Sequence, residues 1–189
     1  MKPRTLLLLL VLAIVIGLGG WYFGTSREGA APVGEGHLAF PKLADKLGAA
    51  SRVTLTRGGK TLTLVRDGAI WRIAEKSGYP ARPETLHALL AGLAGLRLIE
   101  ARTDDPALYA RLGVGDPAKD QEALLVQVLD GDKAPIAALI IGHHRTGPTG
   151  GSGEQLYVRR PGEAQSWLAH GSLSPSPEAA DWTGRDLAN

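Results

Sequence analysis

The longest apolar stretch of the chain lies near its amino terminus, where residues 6–23 read LLLLLVLAIVIGLGGWYF without one charged side chain. At 1.5 Å of helical rise per residue this run reaches about 27 Å, close to the ~30 Å hydrocarbon core of a bilayer. It predicts one transmembrane helix, ending in Trp21, Tyr22 and Phe23, aromatics suited to the headgroup belt. The run exceeds the apolar core of a cleaved secretory signal, and Gly24, Thr25 and Ser26 lead straight into Arg27 and Glu28, a poor cleavage pattern. An uncleaved anchor is therefore expected, with Ala30 and Ala31 marking where cleavage would otherwise fall. Lys2 and Arg4 are cationic, whereas Arg27 is offset by Glu28. That asymmetry predicts residues 1–5 in the cytoplasm and the body of the chain on the outer, periplasmic face of an inner (cell) membrane.

Residues 24–36 are small, polar and without periodicity, and read as a flexible linker. Residues 37–189 are expected to form one exported α+β domain. A short helix is expected over residues 41–47. Across residues 51–73, Val53 and Leu55 alternate with Arg52, Thr54 and Thr56, Gly58 and Gly59 form a tight turn, and Asp67 with Gly68 forms another. Turn glycines between β-branched runs predict a three-stranded meander.

The period then changes. Pro83 and Glu84 open a helical pattern in which Leu86, Leu89, Leu90, Leu93 and Leu96 make one apolar stripe. This amphipathic helix is expected to cover the sheet, with Gly92 and Gly95 weakening it in isolation but permitting close packing. A strand over residues 96–103 follows, then a short helix begun by Asp105 and Pro106, with Leu108, Tyr109 and Leu112 inward and Gly113 as its stop. Two more hairpins are expected, residues 124–129 with 136–141 and residues 156–160 with 166–168. Between them, residues 143–154 read as a polar, glycine-rich loop. Ser176, Pro177 and Glu178 resemble a helix start, with Trp182 and Leu187 placed to dock on the core. The expected fold is thus mainly antiparallel β hairpins, with one helix packed on the sheet and short extra helices.

Composition narrows the function. The chain has no cysteine, which excludes a lipid-acylated amino terminus and disulfide support. The formal net charge of +2 comes from interspersed acids and bases, not from a cationic stripe, and no nucleic-acid partner is expected.

The segments VTLTRGGKTLTLVRDGAIWRI, GYPARPETLHALLAGLAGLRLIEARTDDPALYARLGV and YVRRPGEAQSWL, in this order, resemble the family called domain of unknown function 4340. The resemblance spans about residues 51–187. It implies a membrane-anchored bacterial protein, with some members resembling auxiliary components beside ABC-type transport systems of the gliding-motility kind. No catalytic residues come with it.

Candidate chemistry is sparse. His143 and His144, followed by Arg145 and closed by Glu154, mark a candidate partner or ligand loop. Adjacent side chains on a strand point to opposite faces, and His37, His87 and His170 are too scattered to complete a metal site, so an exposed strand end is favoured over zinc. The run GPTGGSG lacks the Lys and Ser/Thr of a phosphate loop. Asp104, Asp105, Asp130 and Asp132 sit where caps and turns favour aspartate. Trp71, Trp167 and Trp182 each lie within an apolar run and are expected to pack in the core. In the anchor, Ala13 with Gly17 and Gly20 with Gly24 have the small-residue spacing that allows close helix packing in lipid.

The expected function is a non-enzymatic, membrane-anchored accessory subunit of an inner-membrane complex of the ABC transport type. Its expected partners are the lipid bilayer and another membrane protein, with a homo-oligomer as a further arrangement. No cofactor is expected. The alternative is an exported small-ligand or glycan-binding domain tethered to the membrane.

Overall fold

The computed structural model describes residues 36–131, 135–145 and 154–183. The expected anchor, its packing residues Ala13, Gly17, Gly20 and Gly24, and all of the linker except Gly36 lie outside the described residues, as do residues 146–153 and Leu187. Among the described residues, no helix is long and apolar enough to cross a membrane.

The hairpins join into one ten-stranded sheet. Its strands are β1 (His37–Leu38), β2 (Arg52–Arg57), β3 (Lys60–Asp67), β4 (Ile70–Ile73), β5 (Tyr79–Pro80), β6 (Arg97–Ala101), β7 (Leu124–Leu129), β8 (Pro135–Arg145), β9 (Gln155–Arg159) and β10 (Ser166–His170). The order across the sheet is β1-β6-β10-β9-β8-β7-β2-β3-β4-β5. Every neighbouring pair is antiparallel. The described part is therefore mostly β, with few short helices.

The meander follows from its turns. Gly58 and Gly59 adopt φ of +53° and +76°, the left-handed pair that a two-residue hairpin loop requires. This sets Val53 opposite Leu64 and Leu55 opposite Leu62, so their side chains share one buried face. On the other side of β2, Val53 pairs with Val128 and Leu55 with Val126, extending that face across the sheet. Both outermost strands have two residues, and β5 contains Pro80. Beside it, the Glu75 carboxylate accepts a hydrogen bond from Thr63 N at 2.9 Å. Short strands, proline and charge are devices that keep a sheet edge from recruiting foreign strands.

Helix α1 (Leu43–Lys46) falls within the short helix expected from sequence. Helix α2 (Pro83–Gly95) begins with proline in its first turn and buries Leu86, Leu89 and Leu93. It carries the chain from β5, at one edge, to β6, one strand from the other edge. Thirteen helical residues span about 20 Å. Eight strand spacings in a flat sheet would need roughly 38 Å. The sheet must therefore curl around α2, and Leu64 and Ile73 from one end share a buried cluster with Leu98 and Ala169 from the other. Of the two helix glycines, Gly92 has the Ser172 carbonyl 2.7 Å from where a Cβ would stand, whereas Gly95 has nothing within 4 Å. Only Gly92 serves close packing.

The opposite face carries a smaller core. There α3 (Tyr109–Leu112), ended by Gly113 at φ of +68°, covers Ile140 with Tyr109, Val114 and Ala123. Asp105 caps the preceding turn by accepting from Ala107 N at 2.9 Å. Leu108, expected inward, is exposed, because it belongs to the 3-10 turn Pro106–Leu108 and leaves Tyr109 and Leu112 to face the sheet. The tryptophans pack as expected, with Trp182 fully buried and Trp71 and Trp167 half-buried against the main core.

Ser166, at the start of β10, has a fully buried polar side chain. Its Oγ donates to Thr103 O at 2.7 Å and accepts from Thr103 N at 3.2 Å. Ser166→Ala removes the acceptor of a partly buried N–H and is expected to cost about 1–2 kcal/mol in urea denaturation. A loss below a few tenths would show that this junction does not hold β6 against β10.

Candidate functional site

Strand β8 outruns its expected end. His143, His144 and Arg145 are its last residues, because His144 and Arg145 pair with Leu156 and Gln155 of β9 and so satisfy their backbone within the sheet. The strand end favoured for the two histidines is observed, and the start of the loop expected at residue 143 is thereby corrected. A register shift between Ile141 and His144 inserts one extra residue in β8. Such a bulge reorients the side chains that follow it. Gly142 lies at the bulge because a Cβ there would overlap the Leu112 carbonyl and stand 2.8 Å from Val114 Cγ1.

The two histidines acquire different neighbours. His143 Nε2 is 3.7 Å from Glu122 Oε2. His144 Nδ1 is 3.1 Å from Glu154 Oε1, and its Nε2 is 3.4 Å from Ser174 Oγ. The Glu154 carboxylate also accepts from Ser172 Oγ at 3.4 Å and Ser174 Oγ at 3.5 Å, while its backbone carbonyl accepts from Gly171 N at 3.0 Å. Glu154 thus joins the end of β8 to the chain leaving β10. Arg145, the remaining nominated residue, is exposed opposite Gln155.

These contacts border a cleft of about 450 Å³, lined by Arg57, Glu122, Leu124, Ile141 to His144, Ser174 and Pro175. Its floor is a cross-strand row. Leu124 pairs with Ile141, and Arg57 lies one residue beyond Thr56, whose partner is Leu125. Arg57 Nε is shielded from solvent and has no hydrogen-bond partner among the described residues.

Ser174, His144 and Glu154 follow one another in the order of a nucleophile, a base and an orienting acid. The setting fits binding better than acyl transfer. Pro175 follows Ser174 and supplies no backbone N–H to an oxyanion, and the His144 and Glu154 side chains are 38% and 43% exposed. Among the described residues, no group of three or more His, Cys, Asp or Glu side chains could hold a metal ion.

Arg57 and Ser174 were not singled out from sequence. A signal for Arg57 existed, since it continues the Val53 and Leu55 parity and puts a cation at the end of an apolar face. Ser174 had none, because it comes from an irregular tail brought back over the sheet.

A second concavity, about 480 Å³ and apolar, lies between α2 and the meander. Leu47, Trp71, Leu86, Leu90 and Ala91 line it with Gly48, Arg66 and His87.

No curated protein and no solved structure matches the chain. Residues 71–189 match the family described as domain of unknown function (DUF4340), a segment that begins within β4, includes the cleft residues from Glu122 to Pro175, and leaves β2 with Arg57 outside it. By that match, across more than half of its length, the chain belongs to the DUF4340 family.

Proposed function

We propose that the chain is a non-enzymatic accessory subunit of an inner-membrane complex of the ABC transport type, anchored by residues 6–23 with its folded domain on the periplasmic face. The uncharged apolar run supports the location. The observation that carries the interaction is the apolar groove beside α2, where Trp71 and Leu90 leave a partly open surface that an apolar side chain of a membrane partner fits. Partner addition at the outermost strands is disfavoured, since each offers two residues and one contains proline. A photo-crosslinker in place of Leu90, activated in native membranes, is expected to trap a permease subunit, with trapping lost on Trp71→Asp. Recovery of the uncrosslinked monomer alone at native expression would sink this reading.

A second reading, a tethered exported domain that binds a small ligand or glycan, is favoured by the polar cleft around Arg57, whose volume falls in the range of small-ligand sites.

A further inference from the structure

We infer that the cleft at the end of the sheet binds a small oxyanion, a carboxylate or phosphate group, with Arg57 as its anchoring cation. This rests on the second reading above and names the ligand class.

Arginine has five N–H donors in a planar fork and stays charged at any physiological pH. At Arg57, the Nε donor is closed off from solvent without a hydrogen-bond partner among the described residues, in a side chain that lines an open cleft. A buried donor left unpaired is costly, and native proteins rarely leave one so. An oxyanion entering the cleft would accept charge-assisted hydrogen bonds from the part of the guanidinium that lines it, beside the shielded Nε.

The other groups divide into those that line the cleft and Glu154, which stands behind His144. The carboxylates of Glu122 and Glu154 each stand beside an imidazole, 3.7 Å from His143 and 3.1 Å from His144. Their side chains are 69% and 43% exposed, so solvent screens their repulsion of an anion. The Ser174 hydroxyl also lines the cleft, next to His144, and its long 3.5 Å bond to Glu154 is one that an anion would compete for. Leu124 and Ile141 form an apolar floor, which suits an oxyanion carried on a small organic body. Arg57 is held in place by the paired glycines of the β2–β3 turn immediately after it, and by Gly59 N donating to Pro117 O at 3.2 Å.

The test uses the full chain in mild detergent, titrated with sodium phosphate and with sodium acetate at constant ionic strength maintained by chloride. Binding is read by calorimetry and by melting temperature. Saturable binding of at least one probe is expected, with a rise of about 4 °C at about twenty-fold excess over Kd. Arg57→Gln is expected to weaken it by more than about tenfold, and Arg57→Lys by less, because charge survives while the fork is lost. The apo melting temperatures of the variants report whether they fold. Ser174→Ala, at an exposed side chain, is expected to weaken binding about threefold and keeps the test open if Arg57→Gln does not fold. Equal binding by wild type and Arg57→Gln, or no saturation with either anion, overturns the inference. If glucose or choline then raises the melting temperature where the anions do not, the oxyanion class falls and the small-ligand reading stands. If none does, both fall.

Discussion

Trp182→Ala is expected to lower the unfolding free energy by about 4 kcal/mol, read as a fall in the urea midpoint with unchanged slope. The side chain is 0% exposed, so truncation removes a full aromatic burial and leaves a cavity under the tail. It also abolishes the bond from Trp182 Nε1 to Ser176 O at 2.8 Å. The backbone around it is tied to the helix entry, where Arg82 N donates to Trp182 O at 2.8 Å. Residues 171–178 run between β10 and this anchor, and they supply Ser174 and Pro175 to the cleft. Loss of the tryptophan should therefore loosen one wall of the cleft as well as the core. Trp182→Phe keeps most of the bulk and is expected to cost about half as much. A loss below about 1 kcal/mol for the alanine variant would mean that the tail does not close the main core.

The second large effect is expected from adding a single methyl group. Gly142→Ala should destabilise the domain by about 3 kcal/mol, because the new Cβ meets the Leu112 carbonyl, Val114 Cγ1 at 2.8 Å and the Gly113 carbonyl carbon at 2.9 Å. Two of these are backbone atoms that cannot rotate aside. Either α3 and the following loop lift from the sheet or the bulge shifts, and the second outcome moves His143 and His144. The sign is diagnostic. Glycine to alanine in an unstrained open position normally gains about 0.4–1 kcal/mol through the unfolded state. Gly95→Ala, with nothing within 4 Å of its added Cβ at the end of α2, is the matched control and should stabilise slightly. Equal effects at the two positions would remove the steric account of the bulge.

The meander, the α2 stripe and both later hairpins were legible because their causes are local. Val53 and Leu55 show the two-residue period within a few positions, and Gly58 and Gly59 announce their own turn. Pro83 marks the helix entry, and Asp105 and Gly113 mark a cap and a stop, through chemistry confined to one turn. Leu108 was misassigned for the same reason in reverse, since helical spacing was applied to a residue that the chain holds in a 3-10 turn. The extension of β8 through His143 to Arg145 was only partly legible, as a strand end for the histidines, because these residues are polar and followed by glycines. Their strand conformation comes from partners ten or more residues away in β9.

By itself, then, the sequence determined the hairpins, the helix, the buried parity of each strand and the 18-residue uncharged run at residues 6–23. Each of these depends on neighbours within a turn or two of chain. Tertiary structure alone decided that the hairpins merge into one curled sheet around α2, that β10 closes against β6, and that Arg57, His144 and Ser174 meet at one end. Arg57 and Ser174 are separated by 117 positions, and no local periodicity couples them. They meet because burying one continuous apolar face required β2, β7, β8 and the returning tail to pack together, and the cleft is where that face ends.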